Sequence, residues 1–254
     1  MTRVILHGTC GYMGKVVASL AAEDSDIEVV CGLDVKEDEG LGFTVYTDMD
    51  QCNEDADVVI DFSVAQAVDA LMDFCEERRL PVVLCTTGLS DEQLARVEAL
   101  SQSVPVLRSA NMSLGVNVLL SLVKQAAAAL SPAGFDMEVV ERHHNRKLDA
   151  PSGTALALAD AMKEGADDDF SYVYDRSTKR QPRDAKEIGI SAVRGGNLVG
   201  MHEAIFAGTD EIISINHQAT SRTVFGKGAI EAAKFLSGRS AGLYSMQDVI
   251  AQEG

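Results

Sequence analysis

The chain has 254 residues, 46% of them apolar, and a mean hydropathy of +0.02. That length holds one large or two modest domains of roughly 100–200 residues with a real core, and the composition excludes disorder, collagen and coiled coil. Twenty-two basic against 39 acidic side chains leave a net charge of −17, a field that repels nucleic-acid phosphates and anionic lipid surfaces. No run reaches the roughly 18 apolar residues of a spanning helix; residues 116–130 come nearest and are broken by Asn117, Ser121, Lys124 and Gln125. Neither nucleic acid nor membrane is expected as a partner. Residues 1–6 run straight into a strand pattern without the succession of a secretory leader, so the expected location is cytoplasmic. Five cysteines (10, 31, 52, 75, 85) without any CxxC read as reduced, mostly buried thiols rather than a disulfide framework or zinc knuckle.

Apolar runs alternate with helical patterns through the first half. Val4-Ile5-Leu6-His7 reads as a buried strand, followed by a glycine turn and a helix from Met13 to Glu23. Strands are expected at Ile27–Leu33, Asp57–Phe62, Pro81–Cys85 and Val104–Leu107. Ser63 with Gln66, and Ser90 with Gln93, have capping-box spacing and open helices to Arg78 and Ser101. Strand–helix alternation with near-continuous apolar strands predicts a parallel sheet covered on both faces. After Met112 the pattern changes. A helix over 116–130 precedes an alternating strand at Met137–Glu141, and another helix follows Ser152. Three strand patterns, Ile188–Arg194, Leu198–Ala207 and Glu211–Ala219, are joined by Gly195-Gly196-Asn197 and Gly208-Thr209-Asp210, which read as hairpin turns. Residues 167–169 and 175–186 read as exposed loop, and Gly226–Leu236 as a helix able to pack back on the first domain. The expected fold class is α/β: an N-terminal doubly wound (Rossmann) parallel sheet, residues 1–112 plus 225–254, and a second α+β domain, residues 113–224, on a mixed, largely antiparallel sheet.

Gly8-Thr9-Cys10-Gly11-Tyr12-Met13-Gly14 lies directly between the first strand and first helix. An anion there meets unpaired backbone N–H groups and the positive end of the helix dipole, and glycine lets a pyrophosphate approach. Asp34 stands 20 residues beyond Gly14 at the end of the second strand, where a carboxylate accepts both ribose hydroxyls. The alternative is a tight turn followed by a surface Asp. A carboxylate at that position favours NADH over NADPH, with Lys36 near enough to let NADPH be tolerated. The loops Cys85-Thr86-Thr87-Gly88 and Ser109-Ala110-Asn111-Met112 fall at strand C-terminal ends, where such a sheet places its ligand crevice, or are plain strand-to-helix turns.

Arg142-His143-His144-Asn145-Arg146-Lys147 concentrates three positive charges and two imidazoles in an acidic chain, and so calls for an anionic counterpart. The helix start at Pro151-Ser152-Gly153-Thr154 offers a second anion site beside it. Together they read as a carboxylate pocket with proton donors, against the alternative of a solvated loop and a capped helix. A zinc site of His143, His144, His202 and His217 is disfavoured, because adjacent histidines rarely face one ion and no Cys pairs with them. No metal is expected.

Residues 141–155, ERHHNRKLDAPSGTA, closely resemble the signature E-x-H-H-x-x-K-x-D-x-P-S-G-T-A of the 4-hydroxy-tetrahydrodipicolinate reductases. The resemblance extends to Gly8–Gly14, Thr86-Thr87-Gly88, residues 110–117, residues 193–202 and residues 217–222. It implies a cytoplasmic NAD(P)H-dependent reductase of the diaminopimelate and lysine pathway, a homotetramer held by the second domain's sheets, acting on a small dicarboxylate. It implies His143 as acid/base residue, Lys147 as proton donor, and His144, Gly153 and Thr154 as substrate-carboxylate ligands. The cofactor would touch Gly8, Thr9, Cys10, Gly11, Tyr12, Met13, Asp34, Cys85, Thr86, Thr87, Ser109, Ala110, Asn111 and Met112. The chain departs from the family pattern at Cys85, where glycine is common, at Tyr12, where arginine is common, and at Val35, where a basic residue often meets a 2′-phosphate. The last two departures weaken any expectation of NADPH preference. Domain closure about hinges near Met112 and Phe225 is expected to bring cofactor and substrate together. Another NAD(P)-dependent reductase on this fold would share the glycine turn without the residues 143–154 run, and a dinucleotide sensor would need no proton donors.

Overall fold

In the computed structural model, which describes residues 1–252, β1 (Thr2–His7) leads through the glycine turn into α1 (Tyr12–Ala22) and β2 (Ile27–Leu33). β3 (Val45–Tyr46), β4 (Val58–Asp61), α2 (Ala65–Arg78), β5 (Val82–Leu84), α3 (Asp91–Leu100) and β6 (Pro105–Arg108) complete the first alternating run. α4 (Leu114–Leu130), β7 (Asp136–His143), α5 (Gly153–Ala166), β8 (Ser171–Val173), β9 (Glu187–Arg194), β10 (Gly200–Ala207) and β11 (Ile212–Ala219) follow, and α6 (Thr223–Leu236), β12 (Gly242–Tyr244) and α7 (Met246–Gln252) close the chain. Two compact units result: Met1–Leu114 with the chain from Thr223 onward, and Gly115–Arg222.

The first unit is a Rossmann-type parallel sheet in the order β12-β6-β5-β4-β1-β2-β3. Alternate residues of each strand serve opposite faces, which is why the strands read as unbroken apolar runs. Val4, Leu6, Val58, Ile60, Val83 and Leu107 pack with α1, α6 and α7. Ile5, Val59, Val82, Leu84 and Val106 pack with α2 and α3 on the other side. Each such side chain, buried completely, stabilises by about 2 kcal/mol. The α3 start has the full capping box, Ser90 Oγ accepting from Gln93 N and Gln93 Oε1 from Ser90 N. The equivalent spacing at Ser63 does not cap α2, whose N-cap is Val64 without a side-chain bond. The Ser63 N–H donates instead to Asp61 Oδ1 at 3.1 Å, so the demand of a buried carboxylate overrides the cap.

The second unit carries a mixed sheet, β11-β10-β7-β9-β8. β7 pairs antiparallel with β10 and parallel with β9, so the turn at residues 195–197 is not a hairpin between neighbours; β7 lies between the strands it joins. Gly208-Thr209-Asp210 does close a true hairpin, β10 to β11. The alternation of β7 and β10 turns Met137, Val139, Ala204 and Phe206 onto α4 and α5, which meet closely at Gly165. The stretch 175–186 is largely exposed, but Arg183 is anchored to Asp136 Oδ1 at 2.6 Å and to Met137 O at 2.8 Å, fixing the loop to the start of β7.

At Gly228 of α6, an added Cβ would run into the Met112 carbonyl. Alanine normally stabilises a helix interior by about 0.5–1 kcal/mol over glycine. Here Gly228→Ala is expected to destabilise by about 1–3 kcal/mol, the cost of overpacking; urea unfolding checks the sign.

Candidate active site

In the first unit, β1 lies between β2 and β4, and chain direction from strand to strand reverses there, opening a crevice at the strand C-termini. Gly8 sits in it at φ +77°, and a Cβ there would lie 2.5 Å from Phe62 O, so only glycine serves. Gly14 has no room either: its Cβ would meet the Gly8 and Thr9 carbonyls, which is how α1 comes so close to β1. α1 starts at Gly11 with no side-chain cap, so the helix end itself faces an incoming anion. The resulting cleft holds about 300 Å³ and is lined by Gly8, Cys10, Gly11, Asp34 and Lys36. Asp34 Oδ2 accepts from Cys10 N and Oδ1 from Val35 N, both at 2.8 Å, which fixes the carboxylate at the cleft wall. Glycine cradle, helix end and fixed carboxylate fit a dinucleotide.

The expected cofactor residues divide by position. Gly8, Cys10, Gly11 and Asp34 line the cleft. Thr9 is wholly buried, its hydroxyl donating to Leu6 O and its side chain filling the space over Gly32, so its side chain serves the turn. Tyr12 is exposed and Met13 half-buried on the first turn of α1. Cys85 packs on the core, where burial pushes its thiol well above the usual range; Met112 is buried in the same core. Thr86 is buried, with its Oγ1 3.4 Å from Ser63 Oγ, and Thr87 is exposed. Ser109 is half-buried, Ala110 exposed, and Asn111 Oδ1 accepts from Ser113 N at 2.8 Å. These loops follow β5 and β6, at the same edge of the sheet as the cleft but not in its wall.

Sequence reading passed over a buried pair beside the glycine turn. His7 Nδ1 lies 2.8 Å from Asp61 Oδ1, and the register sets the two residues opposite one another at the ends of β1 and β4. Burial raises the Asp61 carboxyl, but the bonds from His7 and Ser63 outweigh it and leave the group below its usual range. The signal was available: a polar residue ends each of two apolar strands.

In the second unit, the site is built on β7. Period-two alternation puts Glu141 and His143 on the face that carries Met137 and Val139. Glu141 is completely buried, and three groups converge on it. His143 Nδ1 lies 2.5 Å from Oε2, the Arg194 guanidinium donates to both oxygens at 2.7 Å, and Ser152 N donates to Oε1 at 3.0 Å. Burial alone would raise the Glu141 carboxyl; His143, Arg194 and Ser152 together bring it down to about 2. With Nδ1 committed to an ionised carboxylate, His143 has its Nε2 left to act on a substrate. Gly200 keeps that edge open, since a Cβ would stand 3.0 Å from Nε2.

The other predicted residues surround this dyad. Lys147 Nζ pairs with Asp149 Oδ1 at 2.8 Å. His144 is held by its backbone N–H to Leu198 O at 2.8 Å, and burial with the nearby cations lowers its pKa. α5 begins at Gly153, with Ser152 Oγ accepting from Ala155 N, and nothing lies within 4 Å of where a Gly153 Cβ would be. Thr154 follows, half-buried, on the same turn. Sequence reading gave no role to Glu141 or Arg194. Arg194 is 53 residues from Glu141, and only the parallel register of β7 with β9 brings it there, opposite His143. His202, opposite Glu141 on β10, lies 3.1 Å from Ser152 Oγ and is pushed down to about 4, first by burial and then by His143. A neutral His202 therefore packs edge-on against His143, ring centroids 5.1 Å apart. Among the described residues, the four candidate histidines do not form a metal-ligating cluster.

Because Glu141 titrates lower folded than unfolded, it contributes stability above its ordinary value of 4.5, lost as pH falls towards about 2. Glu141→Gln is expected to lower stability at neutral pH and to flatten the loss between those values; urea midpoints from pH 6 to pH 2 check both.

The family model described as dihydrodipicolinate reductase, N-terminus, matches residues 2–112, and its C-terminus counterpart matches residues 115–250. A protein of Caldanaerobacter subterraneus subsp. tengcongensis named 4-hydroxy-tetrahydrodipicolinate reductase is 55% identical over 250 residues, 98% of each chain. One of the same name from Clostridium novyi is 44% identical, again over 98% of each. Among solved structures, the dipicolinate-bound dihydrodipicolinate reductase from Paenisporosarcina sp. TG-14 superposes with a TM-score of 0.77 at 24% identity, covering 96% of this chain and 97% of that one. GenD2 from gentamicin A biosynthesis, in complex with NAD, gives 0.65 at 12% identity over 98% and 90%. Structural likeness at such identities speaks for the fold, and the sequence matches over the whole length speak for descent. The chain belongs to the dihydrodipicolinate reductase family, the 4-hydroxy-tetrahydrodipicolinate reductases.

Proposed function

We propose that this protein reduces 4-hydroxy-tetrahydrodipicolinate to tetrahydrodipicolinate in the diaminopimelate and lysine pathway, the 4-hydroxyl leaving as water and one hydride and one proton being added, with His143 and Lys147 managing the proton. The observation that carries this reading is the buried Glu141–His143 dyad standing beside Lys147 and the start of α5. A bound nicotinamide nucleotide supplies hydride from C4. The protein's part is to hold both molecules, exclude water and furnish a proton to the atom that gains electron density. Glu141 fixes the His143 ring by holding its Nδ1. Lys147, its Nζ paired with Asp149, is the donor, and His143 is the acid/base group. His144, Gly153 and Thr154 hold the substrate carboxylates, the last two at the positive end of α5.

The first unit is read as the dinucleotide-binding domain and the second as the substrate-binding and oligomerisation domain. Asp34 accepts the ribose hydroxyls and disfavours a 2′-phosphate, while Lys36 in the same cleft wall softens the repulsion. NADH is therefore the preferred cofactor and NADPH an accepted one. The protein is read as a cytoplasmic homotetramer acting on a small dicarboxylate. Support for self-association comes from the sheet face turned away from α4 and α5, which exposes Val193 (47%) and Ile212 (68%) among polar residues.

The deciding experiment is oxidation of NADH, followed by absorbance, with substrate generated in place from pyruvate and aspartate semialdehyde, and repeated with NADPH. Oxidation dependent on the coupled substrate supports the reading; none, from folded protein that binds NADH, overturns it. His143→Ala and Lys147→Ala are each expected to lower turnover about a hundredfold or more, with cofactor affinity near wild type. Parallel loss of NADH binding would remove these residues from the proton path. Asp34→Ala is expected to raise KM for NADH by about tenfold or more and that for NADPH by less, the loss of hydrogen bonds to a charged acceptor; an unchanged ratio would take Asp34 out of the ribose site.

A further inference from the structure

Away from both sites, β2 and the segment after β3 bring three side chains to one point. Cys31 lies within β2, and Cys52 follows the helical turn Met49–Gln51; both are buried (0% and 3%), with sulfurs 3.4 Å apart. Glu54, two residues on, joins them: one ligand atom from each of the three lies within 4.8 Å of the others. Nothing in the proposed reaction uses these groups.

Three features set the cluster apart from ordinary core thiols. Glu54 Oε1 accepts from the Tyr46 hydroxyl at 2.5 Å, while Oε2 is buried without a hydrogen-bond partner. A carboxylate oxygen buried in that way is costly, and a cation would satisfy it. The backbone carrying two of the groups is clamped, because Arg78 donates to Cys52 O at 2.7 Å and to Glu54 O at 2.6 Å. Finally, a disulfide requires about 2.05 Å between sulfurs, whereas two sulfurs each about 2.3 Å from a tetrahedral ion stand about 3.8 Å apart. The observed 3.4 Å is nearer the second arrangement.

We propose that Cys31, Cys52 and Glu54 form a binding site for a thiophilic divalent cation of the zinc class, with the fourth coordination position open to water. Binding forms two metal–sulfur bonds and one metal–oxygen bond and releases the two thiol protons to solvent; no electrons move. Three anionic ligands are then balanced by the divalent ion and the Arg78 guanidinium, whose Nη1 lies 3.8 Å from Cys52 Sγ. Two thiolates select against magnesium and calcium, which take oxygen ligands. The ion would tie β2, whose end leads to Asp34, to the segment 49–54 at the margin of the parallel sheet, and so act as a structural clamp. The site lies far in sequence from the histidines and lacks CxxC spacing, which is why the sequence did not show it.

The test is titration of the full-length reduced protein with Co²⁺ under anaerobic conditions. A thiolate-to-cobalt charge-transfer band saturating at one equivalent and displaced by Zn²⁺ is expected, with a rise in Tm on adding Zn²⁺. Cys52→Ser should abolish the band. Tyr46→Phe, which keeps all three ligands but frees the carboxylate to rotate, should weaken binding about 10–100-fold. Should Cys52→Ser fail to fold, the combined Cys10→Ala, Cys75→Ala and Cys85→Ala variant must retain the band. Absence of the band in reduced wild type, its persistence in Cys52→Ser or its loss in the combined variant would each overturn the proposal. Isolation of a Cys31–Cys52 disulfide that binds no cobalt after reduction would do the same.

Discussion

A carboxylate taken out of water must be compensated, and each unit of this protein is organised around one that is. In the second unit the compensation of Glu141 recruits the strand it stands on, the neighbouring strand through Arg194 and the start of α5 through Ser152. Removing any one partner would leave a buried charge short of a bond, which is far more destabilising than the loss of an exposed ion pair. The same set of bonds places His143 and orients α5. Stability and the candidate chemistry therefore rest on the same atoms.

Asp61 repeats the arrangement in the first unit with different neighbours. It stands at the end of β4, bonded to His7 at the end of β1, where the strand order reverses. Ser63 is drawn into that arrangement and lost as a helix cap. In both units a histidine Nδ1 meets a buried carboxylate at the end of a central strand, and the Glu141 copy has the stronger cationic support, from Arg194. Among the described residues no arginine bonds Asp61, and the imidazole, the Ser63 N–H and the Thr86 hydroxyl carry the compensation there.

Local signals carried most of the architecture. Apolar runs bounded by turns located the strands, and the Ser90–Gln93 box located α3, because each depends on residues a few positions apart. The glycine turn and Asp34 were legible for the same reason, being adjacent to the strand ends that they complete. Partners brought in by register were not legible. Arg194 reaches Glu141 across 53 residues, and the strand order that puts β7 between β9 and β10 overrides the apparent hairpin at residues 195–197. β3, β8 and β12 went unread because each is only two or three residues long and is held by its neighbour in the sheet rather than by any pattern of its own. Thr9 lies within the glycine turn, yet its side chain faces the turn and not the cleft, a direction that local pattern does not give.

The first unit is made from two pieces of chain, and this bears on how the protein is born. β12 pairs with β6 although more than a hundred residues separate them, and α6 contributes Ala229, Ile230, Ala232 and Ala233 to one face of the sheet. During synthesis from the N-terminus, β6 emerges as an open edge and that apolar face stays uncovered until α6 and β12 have left the ribosome. The intervening unit is contiguous in sequence and is free to fold first. The net charge of −17 opposes close approach of two copies, so self-repulsion works against pairing of that open edge between nascent chains.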